Sequence, residues 1–137
     1  TWNYFDEYGK LTNTSDYEAG NENGKLKYYY SDGSTESEYT YKDGIKDGLY
    51  VGYHKNGALA KQGRFVKNAK RGRWLTYTPD SVIVEDHFYQ DNKFNGWQSY
   101  YTNTGVLSTE LYYREGLILA YRYYYLDSNK YQSLEFE

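Results

Sequence analysis

The sequence predicts an all-β fold, an elongated, single-layer, twisted antiparallel meander built from about six β-hairpin repeats of 24 residues. Three observations lead to this prediction. Glycine-like residues recur every 24 positions in three columns, Asn-Gly and Asp-Gly pairs punctuate the chain, and no segment combines a sustained 3.6-residue periodicity with helix caps. At 137 residues, the chain is long enough for one ordinary domain.

The three columns consist of residue types that tolerate positive φ, as tight turns require. One column reads Gly24, Gly48, Gly72, Gly96 and then Ala120; the second reads Gly20, Gly44, Asn68, Asn92, Gly116; the third reads Gly9, Gly33, Gly57, Ser81, Gly105, Asn129. We therefore divide a single domain, 1–137, into units 1–24, 25–48, 49–72, 73–96 and 97–120, followed by a partial unit, 121–137.

Each unit is predicted to contain two short strands, over positions 2–6 and 10–18 of the unit. Asn-Gly and Asp-Gly pairs are strong hairpin signals. They recur at Asn23-Gly24, Asp32-Gly33, Asp43-Gly44, Asp47-Gly48, Asn56-Gly57 and Asn95-Gly96, and we expect a turn at each of them. Hairpin after hairpin gives about a dozen strands, with an unpaired edge at each end of the sheet.

Aromatic side chains are expected to replace a conventional core. Mean hydropathy is -1.01 and 26% of residues are charged, yet 21% are aromatic, with 21 tyrosines. Such rings bury a large area while leaving a polar tip in water, so they suit a thin sheet. Methionine is absent and there is one proline, which also favours strands over helices.

Two columns suggest how the sheet packs. The fifth position of each unit is aromatic, which predicts a stacked ladder of rings: Phe5, Tyr29, Tyr53, Tyr77, Tyr101, Tyr125. Positions 11 and 17 share a parity that the polar position 14 lacks. Strict alternation therefore predicts that positions 11 and 17 share the packed face and that position 14 lies on the wetter face.

The fourth position supplies the candidate partner-binding residues, Tyr4, Tyr28, Tyr100 and Tyr124. Alternation predicts that these rings face away from the fifth-position ladder, with Gly52 and Thr76 forming a low saddle between them. Protein interfaces favour tyrosine-rich surfaces of this kind. Carbohydrate stacking is a lesser alternative. Trp74 and Trp97 begin adjacent first strands at slightly different positions, and the pattern does not decide their face.

Charge points away from nucleic acid as a partner, since the net charge is -3 and the pI is about 5.4. One basic cluster is a candidate surface for anions, with a solvated face as the simpler interpretation. It comprises Lys61, Arg64, Lys67, Lys70, Arg71 and Arg73.

Catalysis, metal binding and cofactors are not predicted. There is no cysteine, no H-E-x-x-H and no G-x-S-x-G, and the two histidines, His54 and His87, are interpreted as packing residues. The glycines precede no helix that could hold a phosphate. An enzyme would require a pocket that joins His87 to Asp86 and a carboxylate on a neighbouring strand.

A family resemblance follows from Gly96-Trp97-Gln98-Ser99-Tyr100-Tyr101-Thr102-Asn103-Thr104-Gly105-Val106-Leu107 with Tyr113 and Gly116. This pattern resembles the MORN (membrane occupation and recognition nexus) repeat, especially the bacterial variant often found in proteins labelled putative antitoxins. Residues 48–72 match nearly as well, whereas the fourth unit departs at Ser81 and Asn92 and the last unit departs further. The resemblance implies an elongated antiparallel sheet and a binding or scaffolding role.

The function that we predict is therefore a non-catalytic scaffold that presents a tyrosine-rich sheet, a strand edge or both to a protein partner. The alternatives are a lipid or membrane-surface binder and an antitoxin-like protein binder. End-to-end self-association through the strand edges is a further expectation. The polar, cysteine-free composition favours a cell-envelope or secreted setting, with the cytoplasm left open. Because the chain begins at Thr1, we expect a mature or trimmed product, or part of a longer array.

Overall fold

A computed structural model describes residues 1–124 and the backbone of residues 131–135. Every regular element in these residues is a β-strand. The strands are β1 (Trp2–Phe5), β2 (Leu11–Glu18), β3 (Asn21–Tyr29), β4 (Thr35–Lys42), β5 (Ile45–Tyr53), β6 (Leu59–Val66), β7 (Ala69–Tyr77), β8 (Ile83–Gln90), β9 (Lys93–Phe94), β10 (Gly96–Tyr101), β11 (Leu107–Arg114), β12 (Leu117–Tyr124) and β13 (Tyr131–Glu135).

The strands form one antiparallel sheet in which spatial order follows chain order. Strands β9 and β10 are the two parts of a strand that is interrupted at Asn95, and both pair with β8. Counting β9 and β10 as one, the sheet therefore contains twelve strands, each paired with the strands before and after it in the chain. The predicted all-β, single-layer hairpin meander is confirmed.

The buried side chain of Gln98 forms hydrogen bonds to β8 where the backbone pairing is interrupted at Asn95. Its Oε1 accepts a hydrogen bond from the Phe88 N–H at 2.8 Å, and its Nε2 donates to the Phe88 carbonyl at 3.2 Å. Gln98 is 0% exposed, so these bonds replace strand-to-strand backbone bonds that water cannot supply there.

Turns of the first kind join the two strands of each unit and confirm the third glycine column. Gly9, Gly33, Gly57, Ser81 and Gly105 all have positive φ, between 65° and 89°. In each turn the residue three positions earlier accepts a hydrogen bond from this N–H, as in the Gly57 to His54 bond of 2.8 Å. Glycine adopts this conformation without steric cost, and it fills this column in the described turns except at Ser81.

Turns of the second kind join consecutive units and tie each hairpin to the one before it. The N–H groups of Gly44, Asn68 and Asn92 donate to carbonyls 22 residues earlier, at 2.8, 2.8 and 3.1 Å. The Oδ1 atoms of the two asparagines also accept bonds from the Lys46 and Lys70 N–H groups, at 2.8 and 2.7 Å. Asparagine at this column therefore provides both a positive φ and a second bond between units.

The remaining glycine column does not form turns, which corrects the predicted hairpins at Asn23-Gly24, Asp47-Gly48 and Asn95-Gly96. Gly24 and Gly48 lie inside β3 and β5, and Gly96 begins β10. The pairing register shifts near Gly24 and Gly48, so these residues form β-bulges with positive φ. First strands consequently begin near position 21 of the preceding unit, earlier than predicted.

A second bulge, in each of the first five units, corrects the predicted alternation of side chains. Phe5 pairs with Leu11, whereas Tyr4 pairs with Asn13, so Thr12 is an extra residue. Position 11 therefore lies opposite position 5, on the same face as position 14, which is opposite position 3. Position 17 lies on the other face. We name this other face, which carries Tyr39, Tyr50, Trp74 and Tyr89, the ring face. The opposite face, which carries Arg64, Arg71 and Arg73, is the arginine face.

The register of the last described hairpin differs by one residue from that of the earlier hairpins. Ser37 lies between Tyr28 and Gly52, both at position 4 of their units. The equivalent residue Thr109 lies between Tyr100, at position 4, and Tyr123, at position 3. Ala120 explains the difference, because it replaces the positive-φ glycine of the bulge and does not adopt positive φ. A one-residue slip exchanges the two faces of a strand.

Candidate functional site

An unbroken row of aromatic rings runs along the ring face from β3 to β11. Successive ring centroids lie 6.2 Å (Tyr28 to Tyr39), 4.7 Å (Tyr39 to Tyr50), 5.4 Å (Tyr50 to Trp74), 6.1 Å (Trp74 to Tyr89), 4.8 Å (Tyr89 to Phe94) and 5.1 Å (Phe94 to Tyr113) apart. These separations are those of favourable aromatic pairs. The sheet is one layer thick, so no second layer of described residues packs on the outer side of the row.

Trp74 lies at the centre of this row and is only 3% exposed. Its indole packs flat against the backbone of Gly63 on the adjacent strand, where a Cβ atom would overlap the ring. The indole also stacks on Tyr50 and meets Phe65 edge to face at 5.2 Å. The missing side chain of Gly63 is therefore what lets the row continue across β6.

The fifth-position rings do not form the predicted ladder. Among the described residues no ring contact joins Phe5, Tyr29, Tyr53, Tyr77 or Tyr101, and Tyr125 lies outside the described residues. One column occupies every second strand, so its rings stand about 10 Å apart. They pack on the arginine face beside position 11 instead, as Tyr53 does opposite Leu59.

The four candidate partner-binding tyrosines do not share one face. Tyr4 and Tyr28 lie on the ring face and are 39% and 40% exposed. Tyr100 also lies there, with its centroid 4.9 Å from that of His87. Tyr124 lies on the arginine face, where its hydroxyl donates to Glu110 Oε2 at 2.6 Å. Tyr4, Tyr28 and Tyr100 face away from the fifth-position rings, as alternation predicts, but the face that they occupy is also the one that carries the packed rings of positions 2, 15 and 17.

Two lysines lie over the middle of the row. The Nζ atom of Lys46 is 4.4 Å from the Tyr39 centroid, and that of Lys70 is 4.7 Å from the Trp74 centroid. Burial lowers the pKa of Lys70, with Lys61 nearby adding repulsion. Burial also raises the pKa of Tyr50 to about 12. The row is therefore a partly buried aromatic surface with cations held against the ring faces.

The basic cluster predicted as an anionic-surface candidate is divided between the two faces. Lys61 and Lys70 lie on the ring face, Lys67 lies in the turn between β6 and β7, and Arg64, Arg71 and Arg73 lie on the arginine face. Arg73 forms a two-bond pair with Asp86 at 2.8 and 2.7 Å, and Arg71 pairs with Asp91 at 2.7 Å. The six residues therefore do not form one positive surface.

The two histidines are packing residues by position. His54 Nε2 lies 2.8 Å from the Tyr77 carbonyl oxygen of the following unit. His87 is 7% exposed and its Nε2 has no hydrogen-bond partner. Asp86 faces away from His87 because adjacent residues of a strand alternate. Within residues 1–124, no group of three metal-binding side chains comes together.

Sequence reasoning did not identify the ring row, although one signal was present. Position 2 reads Trp2, Leu26, Tyr50, Trp74, Gln98, Arg122, which is apolar or aromatic in the first four units. Position 15 on the facing strand contributes Tyr39, Gly63 and His87. Recognising that these columns face each other requires the register, which depends on the bulges.

The chain matches no family model and no curated protein. One solved structure with similarity is the crystal structure of a GtfA/B complex bound to UDP and GlcNAc, at 11% identity and a TM-score of 0.34. The match covers 82% of this chain and 22% of the other chain. A similarity this weak supports no conclusion about function. The part of the chain that the structure describes contains no helix able to cross a membrane.

Proposed function

We propose that the chain is a non-catalytic, MORN-like scaffold module that binds a protein partner on its ring face. The observation that supports this proposal is the row of mutually packed rings, which runs from β3 to β11 of a single-layer sheet. Rings that hold each other in place lose little freedom on binding, so their contact area is converted efficiently into affinity.

The ring face also has the composition of an interface. Large aromatic side chains remain accessible along it, including Tyr4, Tyr28 and Tyr123, which are 39%, 40% and 47% exposed. Tyrosine and tryptophan are enriched at protein interfaces because each combines apolar area with a hydrogen-bonding group. The low saddle expected at Gly52 is filled, because Gly52 is buried and the Tyr50 hydroxyl occupies the space that its side chain would take.

The test is an affinity pull-down from the native source with three forms of the chain. One is unaltered, one carries Tyr4→Ser, Tyr28→Ser and Tyr100→Ser on the ring face, and one carries Tyr29→Ser, Tyr53→Ser and Tyr101→Ser on the arginine face. We expect a stoichiometric protein to be recovered with the unaltered chain and the arginine-face variant, and to be lost with the ring-face variant.

The matched triple variants remove the same number of rings, so general loss of stability affects both and is monitored by thermal unfolding. Equal recovery with all three forms contradicts binding through the ring face. Recovery of anionic lipid without a protein replaces the scaffold function with membrane-surface binding.

A further inference from the structure

A shallow depression lies on the arginine face near the middle of the sheet, on the side away from the proposed partner site. Its volume is about 280 Å³, and its apolar lining comes from Leu49, Val51 and Leu75, with Arg64 and Arg73 among the polar residues around it. Leu49 is 58% exposed and pairs directly with Arg64 across β5 and β6. The depression therefore combines an apolar floor with arginine side chains.

The arginines around this depression are unequally neutralised. Asp86 engages Arg73 through two short bonds, and Asp91 engages Arg71 through one. No ion pair among the described residues includes Arg64. Arg64 lies directly opposite Arg71, whose charge Asp91 already offsets. Arg64 is therefore the guanidinium of the three that is left to pair with an anion from outside the chain.

We propose that this depression binds a short acidic segment of a partner protein, with a carboxylate paired to Arg64 and an adjacent apolar side chain against Leu49 and Leu75. A guanidinium matches a carboxylate through two parallel hydrogen bonds, which a neutral segment cannot provide. The apolar floor selects segments in which aliphatic or aromatic residues flank the acid. This surface is separate from the ring face, so it can be occupied independently.

Charge distribution favours an acidic peptide over a lipid surface at this site. Binding to anionic lipids gains from many unpaired cations in one plane. Here two of the three arginines are already paired with carboxylates of the chain, and Lys61 and Lys70 lie on the opposite face. One unpaired arginine beside an apolar depression matches a single acidic anchor instead.

The test selects displayed random dodecapeptides on the intact chain, on Arg64→Gln/Arg71→Gln and on Lys10→Gln/Lys93→Gln. The second variant removes the same charge from exposed lysines that lie neither on β5, β6 and β7, which form the depression, nor beside its apolar lining. We expect the intact chain and the lysine control to enrich peptides in which Asp or Glu adjoins Leu, Ile or Phe. The best of these peptides, synthesised, should lose affinity about tenfold on Arg64→Gln, the effect of one charge-assisted pair.

Two further measurements make the result decisive. Arg64→Lys should bind with intermediate affinity because it keeps the charge and loses the two-bond geometry, and affinity should fall as salt rises. Pools without acidic enrichment, or equal affinity for Arg64→Gln and the intact chain, overturn the proposal. Arg64-dependent binding to phosphatidylserine vesicles with no selected peptide also overturns it, in favour of a lipid site. Circular dichroism confirms that each variant is folded.

Discussion

At the scale of single residues, His87 is the member of the aromatic row whose packing depends on pH. The His87 ring lies 4.9 Å, centroid to centroid, from Phe94 and from Tyr100, and it pairs with Trp74 across β7 and β8. Burial lowers its pKa from the ordinary value of 6.5. Lys61 and Lys70 add to this effect, whereas Glu85 and Asp86 oppose it.

This environment predicts a pH dependence of stability. A lowered pKa means that the unfolded chain binds the His87 proton more readily than the folded chain. Protonation of His87 therefore does not reduce the free energy of unfolding above pH 6.5, and it reduces it progressively as pH falls below 6.5. We expect urea unfolding to show a larger loss of stability between pH 7.5 and 5.5 for the wild type than for His87→Phe. Because both proteins share all their carboxylates, the difference isolates His87. Parallel pH profiles would contradict the prediction.

At the scale of an element, the bulge at position 24 controls which face each hairpin presents. Gly24, Gly48, Gly72 and Gly96 all have positive φ, and the units that follow them keep position 4 on the ring face. Ala120 does not have positive φ, and Tyr123 takes the place of Tyr124 beside Thr109. The choice of glycine or alanine at one residue therefore moves a tyrosine from one surface to the other.

The absence of cysteine from the chain allows this register to be tested by cross-linking. In the wild-type register, Thr109→Cys with Tyr123→Cys should form a disulfide on mild oxidation, because their Cα atoms are direct partners. Adding Ala120→Gly should permit the larger bulge and transfer efficient cross-linking to Thr109→Cys with Tyr124→Cys. Non-reducing mass spectrometry measures both yields. The same preferred pair with and without Ala120→Gly would show that another residue sets the register.

The same bulges mark the boundary of what sequence reasoning could predict. Turns at Gly33 and Gly57 were predictable because a glycine after Asp or Asn readily takes the positive φ of a tight turn. Asp47-Gly48 has the same two residues as the turn pair Asp32-Gly33, yet it lies inside β5. Glycine is needed at position 48 because a Cβ atom there would collide with Thr40 on the adjacent strand. Local sequence does not separate these cases. The face of Tyr124 depends on this bulge column, where Ala120 stands in place of glycine, so the candidate site was predicted less accurately than the fold.

For the whole molecule, stability must be distributed along the sheet because each strand packs mainly on its immediate neighbours. Repeat proteins of this kind gain stability from each unit and from each interface between units. Ring contacts are concentrated around Tyr50, Phe65 and Trp74, on β5 to β7. At the edge, β1 pairs with β2 alone and Trp2 is 64% exposed.

We therefore expect hydrogen exchange to be slowest in β5 to β8 and to become faster stepwise toward β1 and β12. Mass spectrometry of proteolytic fragments after timed exchange measures this gradient. Equal protection of β1 and β7 would show that the sheet opens only as one cooperative unit, which contradicts a stability that is built from local interfaces.

The bonds from Asn68 to Lys46 and from Asn92 to Lys70 have a consequence for how such a chain can change in length. Both bonds span 22 residues, so a tandem duplication of residues 49–72 would reproduce every donor and acceptor in its new copy. Each added copy contributes two strands and lengthens the sheet by about 10 Å. Duplication of whole units therefore lengthens the sheet in fixed steps without changing its two faces. Inserting one residue in a strand would instead exchange the side chains of its two faces.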